Sequence, residues 1–169
     1  PRVGRSRPNL QEIQRCLNRP MNDSFITLLR DRLACPVTPE VPLPPLNTFG
    51  IGGPAACVVS PHSVEDVCES LAVCREEGKC LYVLGAGSNV IVPDEGIDGV
   101  VLHLGDTLSE ISLENGVIRA AGGVLDGKLS EFAWGHQLTG FEWIFDIPGS
   151  IGGAVYMNAG NNDGEISET

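Results

Sequence analysis

Hydrophobic positions along the chain fall into short blocks with two different periods, and the blocks predict a mixed α+β protein. Asn22, Asp23 and Ser24 offer helix caps, and Phe25, Leu28, Leu29 and Leu33 share one helical face. Pro36 ends that helix, and residues 36–45 read as an extended Pro-rich linker. Residues 55–60 (AACVVS) read as a strand. The clearest helix follows. Ser63 is its N-cap, Glu65 and Asp66 sit in the first turn, where the helix dipole favours acid, and Gly78 is the C-cap. Val64, Val67, Cys68, Leu71 and Ala72 have the spacing of a buried stripe on it. Residues 80–84, 90–92 and 99–104 read as further strands, with a loop at 85–89. Strand, helix and strand in this order define an α+β or α/β lobe.

A second group of blocks begins at residue 105. Residues 111–113 and 117–121 flank Glu114-Asn115-Gly116, and Asn-Gly between two apolar runs is a hairpin signal. Gly122-Gly123 then turns into a helix with Leu125, Leu129, Phe132 and Ala133 on one face. The densest glycine region, residues 148–153, comes after it. The division this suggests is an N-terminal extension, short helix and linker over residues 1–45, a first lobe over 46–104 and a second over 105–169. No internal repeat or low-complexity tract is visible.

Charge and cysteine usage narrow the function. The net charge is −11. Residues 1–20 hold five Arg and one Glu, so the remainder carries −15. An acidic body argues against nucleic-acid binding, which needs Lys and Arg for phosphate contacts. Any bound phosphate must then be held mainly by backbone N–H groups. No apolar run reaches the roughly 20 residues that span a bilayer, so no membrane role is expected. The six cysteines contain no C-x-x-C pair, which disfavours zinc. Cys57 and Cys68 read as small core hydrophobes, and a reduced, cytoplasmic protein is expected. The basic start has a faint transit-peptide flavour but reads more simply as an extension, with Met21 as a plausible native start.

Three glycine-rich loops are the candidate chemistry. Gly85-Ala86-Gly87-Ser88-Asn89 lacks the third glycine of a dinucleotide fingerprint and leads into a β-type run, not a helix. It is either a phosphate cradle, with Gly85 and Gly87 curling N–H groups inward and Ser88 and Asn89 adding donors, or an ordinary turn. Gly122-Gly123 sits at a strand-to-helix junction, where it is a ligand contact or a tight turn. Residues 147–154 (IPGSIGGA) place small residues where a loop can lie flat on a planar ligand. Three such loops in one acidic chain favour a large phosphate-bearing ligand.

Four ordered motifs carry a family likeness. Asn47-Thr48-Phe49-Gly50-Ile51-Gly52-Gly53-Pro54-Ala55 resembles the opening motif N-T-[FY]-x-x-G-G-x-A of the UDP-N-acetylenolpyruvoylglucosamine reductases. Gly85 to Asn89 is similar to their G-x-G-S-N loop, and residues 138–143 (LTGFEW) to their L-x-G-[LF]-E segment. Residues 147–160 (IPGSIGGAVYMNAG) resemble their most specific signature. The likeness covers about residues 46–166.

The resemblance implies a two-lobed α+β flavin fold of the vanillyl-alcohol-oxidase type, with noncovalent FAD between the lobes. Gly85, Ala86, Gly87, Ser88 and Asn89 would hold the pyrophosphate. Ile147, Gly149, Ser150 and Gly153 would line the flavin or its phosphate chain. Gly122 and Gly123 would approach from the second lobe, and Thr48 would add a contact. NADPH would be the hydride donor and a UDP-sugar the substrate, in peptidoglycan synthesis. The family's Ser, Arg and Glu constellation would lie in a C-terminal substrate domain beyond Thr169, so no catalytic residue is assigned here. Where the family usually continues Ala-Tyr-Gly-Gly-Glu, this chain has Asn161-Asn162-Asp163-Gly164-Glu165, losing an aromatic and gaining a carboxylate. An oxidase on the same fold and a non-catalytic FAD-binding module are the competing readings.

Overall fold

The structure is a computed structural model that describes residues 21–168. The basic first twenty residues, with Cys16, lie outside the described residues. Helix α1 (Asp23–Arg32) starts where expected, with the Asn22 side chain accepting from the Phe25 N–H at 3.0 Å. It turns Phe25, Ile26 and Leu29 inward.

A four-stranded sheet has the order β1-β2-β4-β3. The strands are β1 (Val37–Pro42), β2 (Pro54–Val59), β3 (Leu81–Leu84) and β4 (Ile97–His103). β1 is antiparallel to β2, while β2–β4 and β3–β4 are parallel. Parallel neighbours need a crossover, and helix α2 (Val64–Glu76) supplies it between β2 and β3. Side chains alternate between the two faces. Cys57, Val59, Val100 and Leu102 pack with α1 and with Val73 and Cys74 of α2. Val58, Val101 and Leu84 pack on the other side with Leu43 and Val92. Burial on both faces is why β2 and β4 read as continuous apolar runs.

The 36–45 stretch is not a linker. Residues 37–42 form the edge strand β1, and Val37 and Leu43 are buried core residues. Its prolines disguise a strand that an edge position tolerates. The core therefore draws on residues 25–37 as well as 55–102.

Helix α2 carries the expected ends. Ser63 Oγ accepts from the Asp66 N–H at 3.1 Å, and Asp66 Oδ2 accepts from the His62 N–H at 2.9 Å. Gly78, at φ +61°, closes the helix with bonds from its own N–H to Arg75 O and from the Lys79 N–H to Cys74 O. Its buried face is another matter. Val64 is 67% exposed, Leu71 48%, and Cys68 is also exposed. Asp66, Ser70, Val73 and Cys74 are buried instead. The reciprocal cap pins Asp66 inward, and Ser70 satisfies its hydroxyl on Asp66 O at 2.7 Å, so this polar face can pack on the sheet. Burial works against the Asp66 charge, but hydrogen bonds from His62, Ser63 and Ala34 outweigh it and hold the carboxyl below its usual range.

Residues 90–92 form no strand. Val92 is buried against Gly52, and the Gly53 N–H bonds Pro93 O at 2.9 Å, so this segment packs on an irregular glycine run. The expected hairpin follows, β5 (Ile111–Glu114) and β6 (Val117–Ala120), turned by Asn115 and Gly116 at positive φ. Helix α3 (Asp126–Gly135) begins only at Asp126, three residues past the Gly122-Gly123 turn. At its end, His136 Nδ1 lies 2.8 Å from Phe132 O. The 147–154 segment is half loop and half helix, because α4 (Ile151–Met157) starts directly after Ser150. A two-residue-strand hairpin, β7 (Gly160–Asn161) and β8 (Gly164–Glu165), follows. Asn161 ties it down, donating to Trp143 O at 2.8 Å and accepting from the Asp163 N–H at 2.9 Å. Among the described residues, no helix is long and apolar enough to cross a membrane.

The rotated face of α2 gives a direct test. Val73→Ala is expected to cost about 1–3 kcal/mol, and Leu71→Ala less than about 0.5 kcal/mol, by urea unfolding midpoints. The reverse order would restore the stripe that the sequence pattern predicts.

Candidate functional site

The 85–89 loop leaves the C-terminal end of β3, where strand and loop present backbone rather than side chains. Gly87 sits at φ +68°, and a Cβ there would collide with Leu46 O and lie 2.7 Å from Asn47 Cα. The loop is held from below by the opening motif, whose Thr48 N–H donates to Gly87 O at 3.0 Å. Thr48 touches the loop through its backbone, and its side chain is exposed. Asn47, the first residue of the opening motif, is its buried organiser. Its Nδ2 donates to Leu43 O at 2.8 Å and to Ile51 O at 3.0 Å, and its Oδ1 accepts from the Ile51 N–H at 3.4 Å. The signal available was an Asn leading a glycine-rich turn, a residue suited to bonding its own backbone.

The 147–150 loop is stitched to residues 122–126. Leu125 and Ser150 form an antiparallel bridge. The Asp126 N–H donates to Gly149 O at 3.2 Å, Ile151 N–H to Val124 O at 2.8 Å, and Gly152 N–H to Gly122 O at 2.9 Å. Gly152, in the first turn of α4, approaches Gly122 so closely that a Cβ on it would lie 2.9 Å from Gly122 O, and a Cβ on Gly123 would collide with Gly105 O. Both glycines serve backbone packing in this structure.

The two loops meet. A Cβ on Gly85 would collide with Ser150 Oγ, and a Cβ on Gly149 would collide with Asp126 Oδ2. Ser88 Oγ lies 3.6 Å from that same Gly149 position, and Ser150 Oγ lies 3.6 Å from the Cβ position of Gly153. Gly85, Ser88, Gly149, Ser150 and Gly153, which come from two separate stretches, therefore form one cradle. Ala86 and Ile147 are half-buried on the same loops, while Asn89 is exposed at the rim.

Asp126 completes this cradle and was not expected in it. It is 1% exposed, and Ser150 is 2% exposed. Neither Asp126 carboxylate oxygen nor Ser150 Oγ has a hydrogen-bond partner among the described residues. Buried polar groups are rarely left so unless a ligand or water completes them. Burial pushes the Asp126 carboxyl up to about 6. These are polar groups poised for a ligand that brings hydrogen-bonding oxygens, and the glycines leave room for it to approach the backbone. No Lys or Arg is among the cradle residues, so an anion here would rest on N–H and O–H donors. A phosphate-bearing dinucleotide fits that donor set.

A mixed helix–sheet fold carrying a glycine cradle of this kind suits a phosphate-bearing dinucleotide. The family model described as "FAD binding domain" matches residues 55–169, and the chain belongs to that family. It is 45% identical over 119 residues to a UDP-N-acetylenolpyruvoylglucosamine reductase of Clostridium botulinum, covering 70% of this chain and 39% of that protein. To the reductase of Bacillus velezensis it is 38% identical over 146 residues, covering 86% and 48%. The crystal structure of UDP-N-acetylenolpyruvylglucosamine reductase (MurB) from Thermus caldophilus superposes with a TM-score of 0.67 at 32% identity, over 78% of this chain and 45% of that one. The chain spans less than half the length of these relatives.

Asp126 makes stability depend on pH. Its folded value of about 6 exceeds the unfolded value of about 3.9, so the folded state holds the extra proton between them. Stability of the flavin-free protein is expected to fall by about 2–3 kcal/mol as pH rises from about 4 to 6, then to level off. Asp126→Asn removes that fall, so its urea midpoint should exceed the wild-type value at pH 7 and converge with it near pH 4. Equal midpoints at pH 7 would mean that the carboxyl is not desolvated.

Proposed function

We propose that this chain is the FAD-binding portion of an NADPH-dependent reductase that converts UDP-N-acetylenolpyruvoylglucosamine to UDP-N-acetylmuramate in cytoplasmic peptidoglycan synthesis. One observation carries the reading. The cradle lies entirely within the stretch that matches the FAD binding domain, and its glycines and serines are the family-motif residues of the chain. The names of the relatives support the substrate class.

In this reading Gly85, Ala86, Gly87, Ser88 and Asn89 bind the pyrophosphate through backbone N–H groups and the Ser88 hydroxyl. Ile147, Gly149, Ser150 and Gly153 line the flavin side of the cofactor. Gly122 and Gly123 set the position of α4, and Thr48 holds the pyrophosphate loop in place. FAD, when bound, supplies hydride transfer from NADPH to the enolpyruvyl double bond. The residues of this chain bind, orient and exclude water. Proton delivery to the product belongs to a substrate domain in the longer polypeptide, on a two-lobed flavin fold of the vanillyl-alcohol-oxidase type. No His or Cys stands in the 85–89 loop, which favours noncovalent FAD.

The full-length protein is expected to carry a flavin absorption band that is released on denaturation, and to oxidise NADPH only when UDP-N-acetylenolpyruvoylglucosamine is present. Oxygen-dependent turnover of an alcohol without NADPH would replace the reductase with an oxidase. Gly85→Ala, which drives a methyl group into Ser150, is expected to weaken FAD binding by at least about tenfold, roughly 1.4 kcal/mol, with an unchanged circular dichroism spectrum.

A further inference from the structure

We propose that Asp126 is a cofactor-facing residue whose carboxyl, in its acid form, donates a hydrogen bond to an oxygen of the bound dinucleotide. The inference rests on the FAD reading above. Three observations carry it. Asp126 is fully enclosed, yet both its oxygens lack partners among the described residues. Its Oδ2 points at Gly149, where a Cβ would collide with it, and Ser88 Oγ of the pyrophosphate loop is 3.6 Å from that same position. The second orphaned group, Ser150 Oγ, stands against Gly85 of that loop.

The direction of donation follows from charge. A carboxylate beside a phosphate would be a like-charge pair in a dry site, which is costly without a cation. None is in place. The titratable groups on the surrounding elements are Lys128 and Glu131 on α3, Glu142 on the 142–144 turn, Asp146 before the loop and Tyr156 on α4, and all of them are exposed. The 85–89 loop contributes no charged residue. Burial alone accounts for the elevated carboxyl, with no charged side chain adding to or opposing it. In the acid form the same group becomes a strong O–H donor to an anionic oxygen. A phosphate brought into the cradle raises the carboxyl further, so binding takes up a proton.

The test is FAD affinity against pH, measured by flavin fluorescence on the flavin-stripped full-length protein from pH 5.5 to 8.5. Kd should be level below about pH 6 and rise by up to about tenfold per pH unit above it. Calorimetry at pH 7.5 in two buffers of different ionisation enthalpy should show uptake approaching about one proton per FAD. Asp126→Asn retains a donor and loses the proton, so it should bind FAD with a flat profile and more tightly than wild type at pH 8. Circular dichroism and the unfolding midpoint establish that the variant is folded. A flat wild-type profile, or a Kd that falls as pH rises, overturns the proposal while leaving FAD binding intact; the second result would make Asp126 an acceptor. Failure of the wild type to bind FAD at any pH overturns the cofactor reading, and this inference with it.

Discussion

Two side chains stand where two glycines would otherwise carry Cβ atoms. Ser150 reaches into the space of Gly85, and Asp126 into that of Gly149. This interlock sets the distance between the loop that ends β3 and the loop that precedes α4. Other contacts converge on it. The opening motif braces the first loop through Thr48 and Gly87, and the Leu125–Ser150 bridge fixes the second to the start of α3. A methyl group at Gly85 would displace the Ser150 hydroxyl, and one at Gly149 the Asp126 carboxyl, undoing the arrangement of polar groups between the loops.

The cradle also explains how so acidic a chain can hold an anion. Positive side chains are not required when N–H groups and hydroxyls are preorganised and water is excluded. Asp126 fits the same logic, because a carboxyl kept neutral by burial is a donor, not a repelling charge. The cost is a polar group buried without a partner among the described residues, a common concession of stability at a binding site.

The glycine loops were legible in the sequence because close backbone approach demands a residue type, and a residue type can be read locally. The hairpin at Asn115-Gly116 and the two caps of α2 were legible for the same reason. The buried face of α2 was not. Its apolar stripe is real, but Asp66 and Ser70 satisfy their hydrogen bonds within the helix and its cap, and so they can go inward in its place. Asp126 was hidden by a similar ambiguity. An acid in the first turn of a helix reads as a surface partner of the dipole, and only the meeting of two distant loops encloses it. The strand at 37–42 was masked by prolines, whose meaning depends on whether a neighbour lies on one side or both.

Those prolines decide how the sheet meets the outside. β1 is an edge, and an edge strand offers unpaired backbone groups to any extended chain that comes by. Here the offer is withdrawn. The guanidinium of Arg30 donates from Nε and Nη2 to Val37 O, at 3.3 and 3.1 Å, so that carbonyl is already taken. Pro39, two residues on and of the same strand parity, has no N–H to give. At the opposite edge, β3 is only four residues long before it runs into the glycine loop. Blocked at Val37 and Pro39 on one margin and short on the other, the sheet offers little backbone for a further strand to pair with.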